Sequence, residues 1–230
     1  MSKNLVLVPG LLCSYDLWLD QIGAFEEDYD LMIFDHTQHD NLPDMVRHFL
    51  VDAPDSFNLA GLSMGGYIAF EIMRQAPQRA AKLILLDTNA RADRQPQIDM
   101  REALIKRAAA EDIRSIAQEL TPYLIHPDRL NDAELCERIL DMASDVGGEG
   151  FQRQQRALIA RPDSRQALPG IACPTLIICG QDDRLTPPKV HQEMADLIPG
   201  AQYHSIPDCG HLSTMECPEE VNGLMRAFLG

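Results

Sequence analysis

Long apolar runs are missing from this 230-residue chain. No stretch approaches the roughly 18–20 uninterrupted apolar residues that a membrane-spanning helix needs. The opening MSKNLVLVPG holds one lysine and a short apolar run that stops at Pro9. It reads as a first buried strand rather than a secretory leader. Basic charge is also scarce: 20 Lys and Arg stand against 35 Asp and Glu, a net charge of -15. Nucleic acids and anionic membrane surfaces are bound through basic faces that displace counterions, and this chain has no basic run. Neither is an expected partner. The six cysteines, Cys13, Cys136, Cys173, Cys179, Cys209 and Cys217, form no CxxC pair and no Cys/His ladder of zinc spacing. They are expected as free thiols in a reducing, cytoplasmic setting. Repeats and low-complexity tracts are absent as well.

What is present is an alternation of short apolar runs and amphipathic stretches. Six runs read as strands: Leu5–Val8, Leu31–Phe34, Phe57–Ala60, Lys82–Leu86, Thr175–Cys179 and Gln202–Ile206. Most are continuous rather than alternating, as in strands covered on both faces. Helical patterns follow at Trp18–Phe25, Leu42–Leu50, Tyr67–Gln75, Val190–Leu197 and Glu219–Leu229. Thr186 before Pro187 reads as a helix-capping hydroxyl. The expected fold is α/β, with a mostly parallel sheet of about six strands and helices on both faces. Residues 1–89 and 169–230 form the expected core domain. Residues 90–168 lack a convincing strand and read as four helices, near Ile98–Ala109, Ile113–Tyr123, Ala133–Ser144 and Phe151–Ile159. They are expected to form either a lid or a plain cover of the sheet.

The most informative stretch is Gly61-Leu62-Ser63-Met64-Gly65. An apolar strand enters Gly-x-Ser-x-Gly and a helical pattern leaves it. A serine on so sharp a turn needs small neighbours two residues away on each side, because strand and helix pass close together. The following helix start aims backbone amides, Met64 first, at developing negative charge. Serine needs a base to become a nucleophile. Of the seven histidines, His211 follows the last strand and precedes the last helix, which puts it at the same carboxyl edge as Ser63. A third group must orient the imidazole. Asp182 and Asp183, after the fifth strand, and Asp87, after the fourth, all fall at that edge.

With the elbow GLSMGG, an acid in a GxxD turn from Gly180 to Asp183, and Gly210-His211, in that order, the chain resembles the α/β-hydrolase superfamily over nearly its whole length. The resemblance implies a triad of Ser63, Asp183 and His211, the GxxD turn selecting Asp183. It implies an oxyanion hole made by the backbone N–H groups of Met64 and of Leu11, in the loop after the first strand. It also implies a serine hydrolase acting on a small to medium carboxylic ester, thioester or lactone, without a cofactor. Carbon–carbon bond hydrolysis, perhydrolysis and acyl transfer use the same triad. Leu12, Trp18 and Tyr123 are expected substrate-lining residues, with ordinary core packing as their alternative. The loop Asp35-His36-Thr37-Gln38-His39-Asp40 invites a metal reading, but no matched ligand motif accompanies it, and no metal is expected. The expected partner is a small-molecule substrate, and the pattern assigns no oligomeric state. A rival from another class is a non-catalytic binding protein on the same scaffold.

Overall fold

All six apolar runs are strands, and they lie side by side in one parallel sheet. The computed structural model describes residues 3–230. In chain order the strands are β1 (Asn4–Val8), β2 (Asp30–Ile33), β3 (Phe57–Leu62), β4 (Ala80–Leu86), β5 (Thr175–Gly180) and β6 (Gln202–Ile206). Their spatial order is β2-β1-β3-β4-β5-β6, every neighbour parallel. From β1, inside the sheet, the chain steps out to β2 and then crosses back to β3. The connections after β1 and β3 therefore leave in opposite directions, which opens a crevice at the carboxyl ends of those two strands.

Period-two side chains explain why the runs are apolar throughout. Val6, Val8, Phe57 and Leu59 join the core on one face of the sheet. Leu5, Leu7, Ala60 and Leu62 join the core on the other. The helices among the described residues are α1 (Leu19–Phe25), α2 (Leu42–Asp52), α3 (Met64–Gln75), α4 (Gln95–Ala108), α5 (Ile113–Leu124), α6 (Ala133–Ile159), α7 (Pro188–Leu197), α8 (Ser213–Glu216) and α9 (Pro218–Leu229); α4 and α5 pack on α6 in a separate apolar cluster. Several starts are capped by the expected chemistry. Asn41 accepts from the Asp44 amide at α2, and Asp132 from the Leu135 amide at α6. Among the described residues no helix is long and apolar enough to cross a membrane.

The segment between β4 and β5 holds the helical stretches expected there. The third and fourth follow one another within the span of α6, which is broken at Gly147, where φ is 69° and ψ 166°. Those angles are not helical, and glycine adopts the positive φ at little steric cost, so the Gly147-Gly148 pair separates two helical stretches.

Candidate active site

Ser63 sits between the end of β3 and the first turn of α3 with φ 55° and ψ -112°. A side chain is rarely found there, and the conformation persists only where the surroundings over-determine it. The glycines show how. A Cβ on Gly61 would lie 2.4 Å from the Gly65 carbonyl oxygen, and one on Gly65 would lie 2.1 Å from the Val8 carbonyl oxygen. Strand and helix thus pass at a spacing that no larger residue permits, and the turn lifts the Ser63 hydroxyl off the sheet edge.

Two other turns bring their side chains to that hydroxyl. His211 Nε2 is 2.8 Å from Ser63 Oγ, and His211 Nδ1 is 2.8 Å from Asp183 Oδ2. Both His211 and Asp183 are buried. Asp183 is fixed on all sides: Oδ1 accepts from the Leu185 and Thr186 amides, and Oδ2 also accepts from the Thr186 hydroxyl at 2.6 Å. Its neighbour Asp182 turns away, half exposed, toward His126. The His211 loop is held by its own ring of bonds. The His211 and Leu212 amides donate to the Leu124 carbonyl, and Glu216 Oε1 accepts from the Gly210 amide.

The charges follow from this packing. Burial works against the His211 cation, but the adjacent Asp183 carboxylate outweighs it and holds the imidazole above the ordinary histidine range. Burial also opposes Asp183 ionisation; the facing imidazole and the Thr186 donors overcome it and lower its pKa.

The loop after β1 flanks the same opening. The Cys13 amide donates to the Gly10 carbonyl. The Leu12 amide donates to Gln154 Oε1 at 3.1 Å, and Leu12 has a φ of 58°. Neither the Leu11 nor the Met64 amide donates to another group among the described residues. His36 Nε2 donates to the Gly10 carbonyl at 2.8 Å, and the Gln154 side-chain nitrogen lies 3.1 Å from the same ring atom.

The expected substrate-lining residues separate. Leu12 packs with Phe151, Leu104 and Ile116 in an apolar cluster shared with α4, α5 and α6. Trp18 is wholly buried in the core, where packing accounts for it. Tyr123 stands 55% exposed on α5. In the Asp35–Asp40 loop, Asp35 accepts from Thr37 and His36 turns inward to Gly10, so these two groups face different partners.

Four contributors were not picked out from the sequence. Thr186 reads as a helix cap, yet α7 starts two residues later and the hydroxyl serves Asp183. Thr88 and His36 carry no local signal. Gln154 shows itself only once folded: it is fully buried, and a buried amide implies a dedicated partner.

The chain belongs to the α/β hydrolase fold family, whose pattern matches residues 40–218. It is a hydrolase of that fold. In structure it is similar to an esterase from Thermogutta terrifontis, with a TM-score of 0.90 and 31% identity, covering 100% of this chain and 90% of that one. In sequence it is 29% identical over 192 residues to a Mycobacterium tuberculosis protein provisionally named non-heme bromoperoxidase BpoC. That match covers 74% of this chain and 66% of the relative, just under two thirds of its length. A Yersinia enterocolitica protein provisionally named carbamate hydrolase RutD is 24% identical over 249 residues, covering 99% of this chain and 87% of that one.

Proposed function

We propose that this chain hydrolyses a small to medium carboxylic ester, thioester or lactone through an acyl-enzyme on Ser63, with His211 as base and Asp183 as its orienting acid. The observation that carries the proposal is the unbroken relay from Ser63 Oγ through His211 to Asp183, 2.8 Å at each step. The Ser63 oxygen forms a bond to the substrate carbonyl carbon while its proton passes to His211 Nε2. The Leu11 and Met64 amides stabilise the resulting oxyanion. The bond to the leaving group then breaks, and the leaving group takes the proton from Nε2. Water attacks the acyl-enzyme, gives a proton to Nε2, and Ser63 recovers it as the acid departs.

The apolar cluster of Leu12, Leu104, Ile116 and Phe151, with Leu11 packed against it, supports an apolar acyl group. Residues 90–168 serve as the cap over it. Six free cysteines support a reducing, cytoplasmic setting.

The test is labelling by a fluorophosphonate probe with mass-spectrometric mapping, followed by a panel of p-nitrophenyl esters, thioesters and lactones of graded acyl length. Adduct on Ser63 and turnover of at least one series is the expected outcome. An unlabelled Ser63 with no turnover favours a binding protein on the same scaffold. A second expectation concerns the loop after β1. Gln154→Leu strips the Leu12 amide of its acceptor and should lower kcat about tenfold, with KM changed little, because loosened oxyanion donors act mainly on the transition state. Steady-state kinetics on the best ester, with kcat taken per active site titrated by the fluorophosphonate probe, checks it; a kcat per titrated site equal to that of the wild type overturns it.

A further inference from the structure

The end of β4 meets all three turns of the candidate site. Asp87 and Thr88 are fully buried there. The Thr88 hydroxyl donates to the Ser63 carbonyl at 2.7 Å, and the Ser63 amide donates to the carbonyl of Leu86 at 2.9 Å. Asp87 Oδ1 accepts from the Gly180 amide at 2.9 Å, at the start of the turn that carries Asp183. Asp87 Oδ2 meets the Ser213 hydroxyl at 2.5 Å and the Ser213 amide at 3.2 Å, two residues after His211. The Thr88 amide donates to His191 Nε2 at 2.8 Å, on the helix that follows the Asp183 turn. Asp87 itself has a φ of 45°, in the left-handed region that few residues other than glycine adopt. Such a conformation is retained where the surrounding bonds dictate it.

We propose that Asp87 and Thr88 are the positioning residues of this site, tying the Ser63 elbow, the Asp183 turn and the His211 loop to one strand end. The proposal rests on the triad reading above. Ser63, Asp183 and His211 lie on segments far apart in the chain, and proton transfer requires them to hold hydrogen-bond geometry at once. The sheet fixes the strand ends but not the turns beyond them. Asp87 and Thr88 bridge those turns through buried side chains, Asp87 bonded through both carboxyl oxygens and Thr88 through its hydroxyl.

Asp87 also places a second carboxyl behind the imidazole. Burial and the neighbouring Asp183 charge push its pKa up to about 8, against the pull of His211 and Ser213. Below that pH the protonated carboxyl donates to Ser213 Oγ; above it the carboxylate accepts from Ser213. The other titratable groups facing this centre are His191, kept neutral by burial with its pKa lowered to about 4, the Cys179 and Cys209 thiols, both pushed up by their surroundings, and Glu216 on the His211 loop, whose carboxyl is raised by burial and whose charge favours the imidazolium. Asp87→Asn removes the Asp87 contribution alone and leaves Glu216 in place. Ionised Asp87 favours the imidazolium, so kcat/KM should show a second rise near pH 8 in the wild-type protein.

The experiment compares wild type, Asp87→Asn, Thr88→Val and Thr88→Ser by fluorophosphonate labelling, steady-state kinetics from pH 5 to 10 and far-UV circular dichroism. Labelling of wild-type Ser63 comes first; its failure removes the triad reading and leaves the positioning proposal without a basis. In Asp87→Asn the amide oxygen takes the Gly180 bond, so the NH2 group faces the Ser213 amide, donor against donor. A fall in kcat of about 10- to 100-fold, with KM within about twofold and the rise near pH 8 lost, is expected from displacing a reacting group by a fraction of an ångström. Thr88→Val, which keeps the volume and removes only the hydroxyl, should lower kcat about tenfold, and Thr88→Ser should recover most of it. Should Asp87→Asn fail to fold, the Thr88 pair decides. Wild-type kcat in a folded Thr88→Val protein, or an unchanged pH profile in folded Asp87→Asn, overturns the proposal.

Discussion

Ser63→Ala protein is expected to fold normally and to lose about 10^4- to 10^6-fold in kcat on an ester that the wild type cleaves. The hydroxyl is only half-buried at a turn whose shape is set by backbone contacts and by Gly61 and Gly65. Removing one oxygen leaves those contacts in place, so the melting temperature should move little. Activity falls because, among the described residues, Ser63 Oγ is the hydroxyl bonded to His211 Nε2. The residual rate reports what the Leu11 and Met64 amides and simple binding still do to a carbonyl attacked by water. Ester hydrolysis at the wild-type rate, measured with protein free of contaminating esterase, would end the assignment of Ser63.

Asp183→Asn should cost about 10^4-fold in kcat, by analogy with the same change in other serine triads. Its orientation is dictated. The Asp183 Oδ1 position accepts from two backbone amides, Leu185 and Thr186. The asparagine oxygen must take that place, which turns its NH2 toward His211 Nδ1 and Thr186. A donor now faces Nδ1, so the imidazole keeps its proton on Nε2 and cannot accept one from Ser63. Asp182→Asn is the control. Asp182 is half exposed and lies beside His126 and Asp208, away from His211, and its replacement should leave kcat within about twofold, as surface changes usually do. Equal losses in the two variants would mean that the acid has been assigned to the wrong residue.

The central strands β1, β3, β4 and β5 were legible because they are buried over most of their length on both faces, which favours apolar residues at successive positions, while the edge strands β2 and β6 are partly exposed and carry polar residues. The nucleophile turn was legible because close strand–helix passage demands glycine at two fixed offsets. The acid was less so. Asp182 and Asp183 are adjacent in one turn, and the residues themselves favour neither; the family's GxxD spacing pointed to Asp183, and the folded turn directs that carboxyl at His211. Gly147-Gly148 was legible as a break, and α6 is interrupted there by non-helical angles at Gly147. Thr186 looked like a cap, yet its partner is Asp183.

By itself, then, the sequence determined the order of strands and helices, the parallel sheet and the serine turn, since each depends on side-chain periodicity or on steric demands within a few residues. Only the tertiary structure decided which carboxylate faces the imidazole, that Gln154 reaches the Leu12 amide, and that Asp87 and Thr88 join three turns. Those contacts link residues 25 to 142 positions apart, and a hydrogen bond of that kind depends on where folded segments meet, which no local pattern encodes.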